Sequence, residues 1–462
     1  MAEMKLGEIA SKTGGTILRG DPSLVFRDFN IDSRLTTAGE LFFAIVANRD
    51  GHDFVASAAA RGAAGAVVSR DVSVPDPAFA LIRVPDTLRA LQKLAQDVLA
   101  ERNPIVVGIT GSIGKTTTKE FSAALLSRKY RVLKSEANFN NQLGLALSLL
   151  RLEEGHQAAV LEMGMSAPGE IRTLAAIAPP DIAVITNVSP VHLEFLKTME
   201  NIAAAKKEIL ERTKRGGKAV LNGDDPYVER ISQDWSGPKI YFGLRTSCEI
   251  RVEGIERLGY DGFKFDLVYR REKRRIKFPF LADSSIYNLL AALGVAQALS
   301  IPFDDVEAAI RDLKPFAKRG TLLKFKNHIA LIDDSYNSNP KALEGALRNF
   351  ALLPARRKVA ILGDMLELGD AAVFFHAEAG GQAARAGWDV LITIGPLGRF
   401  LAESARAAGM KPEHLFAYAT SEEAAAHVSA IIREGDLILV KGSRGMRTEK
   451  VVEKIKDIFK ET

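Results

Sequence analysis

Hydrophobic and polar positions change period repeatedly along the chain, and each change predicts an element. Apolar residues spaced three and four apart at Leu88, Leu91, Leu94, Ala95 and Val98 predict a helix that is capped by Asp86 and runs to about Arg102. Similar spacing predicts helices over 5–13, where Gly14-Gly15 ends it, over an alanine-rich stretch up to Gly62, and over 143–150, 203–209, 285–299 and from about 447. Short apolar, β-branched runs predict buried strands at 25–31, 41–44, 66–68, 79–84, 105–110, 157–162, 181–186 and 218–221, and again at 329–333, 358–363, 389–395 and 436–441. Residues 248–281 read as antiparallel strands. Strands alternating with helices imply mainly parallel sheets with right-handed crossovers, an α/β fold.

The length of 462 residues exceeds what one core supports and suits three domains of about 150 each. With 47% hydrophobic and 26% charged residues, the composition is that of an ordered globular protein. A net charge of +5 suits anionic ligands without calling for nucleic acid. The densest basic run, Arg270 to Lys277, lies between apolar alternations at Phe263, Phe265, Leu267 and at Phe278, Phe280, and reads as the solvated turn of a hairpin. Cys248 is the single cysteine, which excludes a disulfide or a structural zinc site within one chain. The first ten residues lack a signal-peptide apolar region, and no apolar run reaches the ~18–20 residues of a membrane span. A soluble cytosolic protein is expected.

The strand at 105–110 leads into Gly111-Ser112-Ile113-Gly114-Lys115-Thr116-Thr117-Thr118. Glycines there let backbone N–H groups converge on an anion, at the positive end of a helix starting at Lys115. Lys115 can reach a terminal phosphate, and the Thr116 hydroxyl can ligate Mg²⁺. Ile109 stands where the common phosphate loop has a third glycine, so this is a tighter variant. After an Asn-rich turn at 137–142, Glu162 ends an apolar strand, the usual place for a carboxylate facing the metal. The strand at 181–186 runs into a polar segment containing Asn187 and His192. Of the adjacent Lys206 and Lys207, one facing inward would need its charge removed or paired. Asp32-Ser33-Arg34 and Asp50-Gly51-His52 are polar triplets beside apolar strands, readable as ligand loops or as satisfied turns. No loop carries a full G-x-G-x-x-G, so a nicotinamide cofactor is not expected.

These residues resemble the Mur ligase family: Thr110 to Thr117, Glu162, His192 and Ala205-Lys206-Lys207-Glu208. The wider set resembles its members that add D-alanyl-D-alanine to UDP-N-acetylmuramoyl-tripeptide. That set is Asp32-Ser33-Arg34 with 39–45, Asp50-Gly51-His52, 162–165, 333–340 and 362–369. The resemblance implies a UDP-MurNAc-peptide domain at 1–102, a central ATP-binding domain at 103–318, and a Rossmann-like domain at 319–462 that receives D-Ala-D-Ala. It implies ATP, Mg²⁺ and an acyl phosphate, in the last cytoplasmic step to UDP-MurNAc-pentapeptide. It further implies ATP contacts from Gly111, Ser112, Ile113, Gly114, Lys115, Thr116 and Thr117, with Asn288 at the adenine and Arg319 and Asp334 closing from across the cleft. Thr116 and Glu162 would hold one Mg²⁺; His192 and a carbamylated Lys206 would hold a second; Lys115, His192 and Lys206 would be catalytic. Ser33, Arg34, Asp50, His52, Asn337 and Asn339 would contact substrate, with Lys441 and Arg444 at the C-terminal substrate face. A monomer without a membrane span is implied. Ser284 and Ser285 replace the family's His-Asn pair before Asn288, and Lys318-Arg319 replaces its Gly-Arg. Another Mur ligase, a folylpolyglutamate synthase, a mechanical ATPase or transporter subunit of the phosphate-loop class, and a nucleotide-binding regulator are the competing readings.

Overall fold

The computed structural model describes residues 3–136 and 139–459. Ala137 and Asn138 of the asparagine-rich turn, and the first two residues of the N-terminal stretch, fall outside the described residues. Among the described residues, three large sheets flanked by helices succeed one another along the chain, with a small two-stranded sheet beside the first.

The first has five strands in the order Thr16–Arg19, Ala80–Arg83, Gly65–Val68, Leu41–Phe43 and Phe29–Asn30. All neighbours are parallel except the first pair. The strand expected over 25–31 is in fact two. Val25–Phe26 pairs antiparallel with Met4–Lys5, and Phe29–Asn30 joins the sheet. The polar pair Arg27-Asp28 breaks the run, and the Asp28 carboxylate accepts from the Phe29 amide at 2.8 Å. Asp86 caps the helix Thr87–Arg102 by accepting from the amides of Leu88 and Arg89. That helix packs on Gln142–Leu150, so Leu91, Leu94, Leu145 and Leu149 share one apolar cluster across the first two sheets.

The central sheet has nine strands. Seven run parallel, and the hairpin Phe263–Tyr269, Glu272–Phe278 continues the edge antiparallel. Ile105–Thr110 lies between Ala158–Glu162 and Ile182–Ile185, so their carboxyl ends share one edge. The basic run is not the hairpin turn. Only Arg270 and Arg271 turn, with φ of 50° and 67°, and Glu272 to Phe278 are strand. The alternation explains this: Ile276 and Phe278 are buried, the outward Lys273 and Arg275 meet Glu253, Glu256 and Asp266, and Arg274, on the inner face, pairs with Asp304 and Glu307. The helices Lys115–Leu126 and Asp283–Ala298 pack together over one face.

The third sheet runs Thr321–Lys324, Ala330–Asp334, Asp436–Lys441, Arg357–Gly363, Val390–Ile394 and Leu415–Tyr418, parallel after the first pair. The ends of Ala330–Asp334, Arg357–Gly363 and Asp436–Lys441 face the central sheet's loops. Among the described residues no helix is long and apolar enough to cross a membrane.

Candidate active site

The two loop glycines are demanded by their surroundings. A Cβ on Gly111 would fall 1.8 Å from Thr186 Oγ1, and one on Gly114 (φ 86°) would fall 2.0 Å from Asn288 Oδ1. The loop is pinned to the neighbouring strand end: the Ser112 amide donates to the Asn187 carbonyl at 3.0 Å, and the Ile113 amide to Asn187 Oδ1 at 3.1 Å. Thr186 Oγ1 donates to the Ile113 carbonyl at 2.7 Å. Two of the amides expected to converge on an anion are therefore engaged. The donors left for it begin at Gly114 and the first turn of Lys115–Leu126, whose amides have no partner inside the helix.

Thr116 Oγ1 donates to Glu162 Oε2 at 2.6 Å and accepts from Arg319 Nη2 at 2.9 Å. Asn140 Nδ2 donates to the other oxygen, Oε1, at 3.0 Å. Glu162 is buried. A hydroxyl and a carboxylate are hard oxygen donors. Among the described residues no three of His, Cys, Asp and Glu gather as a closed metal cage. That donor set fits Mg²⁺, which keeps water and phosphate oxygens as its remaining ligands, and does not fit structural zinc. Lys115 Nζ donates to the Gly111 carbonyl at 2.8 Å. Desolvation pushes its pKa down, Glu162 opposes this, and Arg319 adds to it.

Lys206, on Met199–Glu211, is 1% exposed, and its ammonium forms no hydrogen bond or ion pair among the described residues. Burial, and then the charge of Lys115, push its pKa well below the ordinary lysine range. Its neighbour Lys207 instead pairs with Asp234 at 2.7 Å on the surface. Glu208 serves the fold, accepting from the amides of Gly169 at 2.8 Å and Arg172 at 2.9 Å. His192, in the left-handed region at φ 52°, places Nδ1 2.5 Å from Glu367 Oε2. That hydrogen bond holds the Glu367 carboxyl below its usual range.

A cleft of about 1430 Å³ between the central and third sheets brings together residues 112–117, Glu162, His192, Asn288, Arg319, Asp334, Asn337 and Asn339. Lys206 is absent from its lining and lies buried in the core that includes Ala205 and Ile209. Asn288 meets the loop itself, with Oδ1 3.5 Å from Thr118 Oγ1. Asn339 caps Pro340–Phe350 through the Ala342 amide at 2.9 Å, and Asn337 Oδ1 accepts from the Ser338 amide at 2.9 Å. Lys441, expected at the substrate face, lines the cleft together with Arg444; it is buried and donates to Asp334 Oδ2 at 2.6 Å and the Asn337 carbonyl at 2.9 Å. A buried lysine must be paired, and Asp334 is the partner. Arg444 pairs with Glu449 at 2.9 Å.

Ser33, Arg34, Asp50 and His52 are not in this cleft but on the first sheet's loops. Arg34 is exposed and pairs with Asp32 at 2.6 Å, while Ser33 is buried. His52 is buried, with Nδ1 2.5 Å from Asp50 and Nε2 accepting from the Ser69 amide at 2.8 Å. Hydrogen bonds from the His52 backbone and ring, joined by Arg70, hold the Asp50 pKa down to about 2. Both His52 nitrogens are thus committed within the fold. The sequence motifs contain Asn140, Asn187, Glu367 and Tyr336 but gave them no individual role; the Tyr336 ring lies 4.0 Å from the Arg319 guanidinium. Asn187, Tyr336 and Glu367 lie past predicted strands, where polar residues beyond a parallel strand were the signal available, whereas Asn140 lies in the Asn-rich turn.

The Mur ligase middle domain matches residues 109–296, and the Mur ligase, glutamate ligase domain matches residues 318–444. The UDP-N-acetylmuramoyl-tripeptide–D-alanyl-D-alanine ligase of Bacillus subtilis is 34% identical over 455 residues, 98% of each chain. The crystal structure of MurF from Acinetobacter baumannii is similar at a TM-score of 0.89, with 28% identity over 99% of each chain. The structure of MurF ligase from Thermotoga maritima in complex with ADP is similar at 0.81, with 30% identity over 93% of this chain and 97% of that one.

Proposed function

The chain belongs to the Mur ligase family, and we propose that its cleft uses ATP to join D-alanyl-D-alanine to the free carboxylate of UDP-MurNAc-tripeptide. The product is UDP-MurNAc-pentapeptide, a precursor of peptidoglycan. One observation carries the reading: Thr116 and Glu162, 2.6 Å apart beside the tight glycine loop, with Arg319 on the same hydroxyl. This occurs in a chain alike from end to end to ligases of that name.

A carboxylate is a poor electrophile, and phosphorylation by ATP makes one of its oxygens a leaving group. The dipeptide amine then attacks the acyl carbon, the tetrahedral intermediate collapses, and phosphate departs. Two anions must first meet, so fixed positive charge is the main requirement. Lys115 is tethered to the loop carbonyl and balances the transferring phosphoryl group. Arg319, stacked on Tyr336, brings a second cation to Thr116 from the start of the third unit. Mg²⁺, held by Thr116 and Glu162 and at a second position by His192 and Lys206, would supply the remaining charge that draws carboxylate and γ-phosphate together. A free ammonium at Lys206 would oppose that role. Its lowered pKa favours the neutral amine, which adds CO₂ to give a carbamate and a proton, turning a cation into an oxygen ligand.

Residues 1–102 are assigned the UDP-sugar, with Ser33 and Arg34 as contacts and Asp50 and His52 shaping the loop. Residues 103–318 hold ATP, with Asn288 toward the adenine. Residues 319–462 receive D-Ala-D-Ala near Asn337 and Asn339, and Asp334 contacts ATP. The enzyme works as a cytoplasmic monomer. The test is phosphate release with ATP, Mg²⁺ and UDP-MurNAc-tripeptide, with and without D-Ala-D-Ala. Release that requires the dipeptide is expected. Release indifferent to both substrates would overturn the assignment.

A further inference from the structure

Two side chains from different sheets meet at the rim of the cleft. His192 follows the central strand Ile182–Ile185, and Glu367 follows the third-sheet strand Arg357–Gly363. Glu367 Oε2 lies 2.5 Å from His192 Nδ1, and the Glu367 carbonyl accepts from the Glu194 amide at 3.2 Å. The contact is close-packed: a Cβ on Gly369 would sit 3.1 Å from the Glu194 Cα. Both partners are non-glycine residues in the left-handed region, His192 at φ 52° and Glu367 at φ 64°. Such backbone is unfavourable and persists where the surroundings fix it. Two instances facing each other across one hydrogen bond mark a contact with a purpose.

A carboxylate only accepts, so Nδ1 carries the proton and Nε2 is the nitrogen with a free lone pair. Ligating histidines are commonly oriented through the other ring nitrogen in this way. We propose that Glu367 is a positioning residue which, from the third unit, fixes the His192 ring so that Nε2 faces the cleft. The central site is then fully oriented only while the third unit is docked as here. This rests on the reading of His192 as a Mg²⁺ ligand. It couples the unit assigned to the amine with the metal side of the unit assigned to ATP.

The test uses the full chain as Glu367→Ala, Glu367→Gln and His192→Ala. Ring ¹⁵N NMR of histidine-labelled, metal-free protein reads the His192 tautomer directly, the signal being the one lost in H192A. The parent should show a single Nδ1–H form, E367A a mixture, and E367Q, whose amide oxygen still accepts, the parental form. In the ligase assay E367A should need about 10- to 100-fold more Mg²⁺ for half-maximal rate, with KM for the UDP-sugar unchanged. An unchanged ring signal in E367A overturns the role of Glu367. A changed ring signal together with a parental Mg²⁺ requirement in H192A overturns instead the reading of His192 as a ligand, and the metal consequence with it.

Discussion

Gly114→Ala tests the loop most directly. An alanine at φ 86° pays the left-handed penalty of about 1–2 kcal/mol. Its methyl would also fall 2.0 Å from Asn288 Oδ1 and 3.0 Å from its Cγ, both atoms of one side chain. Relieving that overlap costs about 1–3 kcal/mol more. The empty loop can relax, so the sum appears when nucleotide must restore it: about 2–5 kcal/mol, or roughly 30-fold to several thousand-fold in ADP affinity. Asn288→Ala alone removes one polar contact, worth about 1 kcal/mol. In an N288A background the three atoms nearest the new methyl, all from the Asn288 amide, are gone, and the backbone penalty is the main cost that remains. Isothermal titration with Mg-ADP on the four proteins closes the cycle. A coupling of about 1–3 kcal/mol is expected between the two sites. Additivity within about 0.5 kcal/mol would refute the reasoning, because it would mean the methyl never meets Asn288.

Lys206→Met should raise the thermal midpoint at pH 7.5 in CO₂-free buffer while abolishing ligation. The folded pKa lies below the unfolded one, so the ammonium's penalty is felt below pH 10.5, and the gain should fade as pH rises toward that value; a midpoint that falls at pH 7.5 would contradict the buried-charge account. Lys207→Met should remain active, since that side chain only pairs with Asp234. Asp50→Asn should lower the midpoint at pH 7, and its deficit should close as pH falls from about 3.8 through about 2, because a carboxylate with a depressed pKa stabilises above the unfolded value and loses that contribution on protonation. Arg357→Met leaves Asp436 fully buried without its 2.7 Å partner and should cost about 3–5 kcal/mol in urea unfolding followed at Trp388, with Asp436→Asn in the same chain restoring part of it.

The phosphate loop was legible to the residue. The strand Ile105–Thr110 and the helix start at Lys115 coincide with expectation, since a β-branched run followed by two glycines and Lys-Thr admits few other structures. Two edge strands were not legible. Thr16–Arg19 and Thr321–Lys324 are half-buried at best, so neither carries the apolar run that marks a central strand. Within the site, sequence located charges but not their partners. Lys441 finds Asp334 a hundred residues upstream, and His192 finds Glu367 through a contact between two sheets. Pairing of that kind is a property of the tertiary arrangement and leaves no local period. His52 shows the other side of this: its triplet was readable as a ligand loop or a satisfied turn, and only the fold reveals that both ring nitrogens are bonded, to Asp50 and Ser69.

The nucleotide loop is laid down early in the chain and completed late. Its glycines lean on Thr186 and Asn288, and its helix is covered by Asp283–Ala298. Residue 288 follows residue 115 by 173 positions, which a ribosome adding about 5–20 residues per second spans in roughly 10–35 s. Throughout that interval the nascent polypeptide presents Phe121, Leu125 and Leu126, fully buried in the finished fold, without their cover. A chain ending before residue 283 therefore lacks the helix that covers this apolar face, and it would expose surface of the kind that associates in unfinished folds.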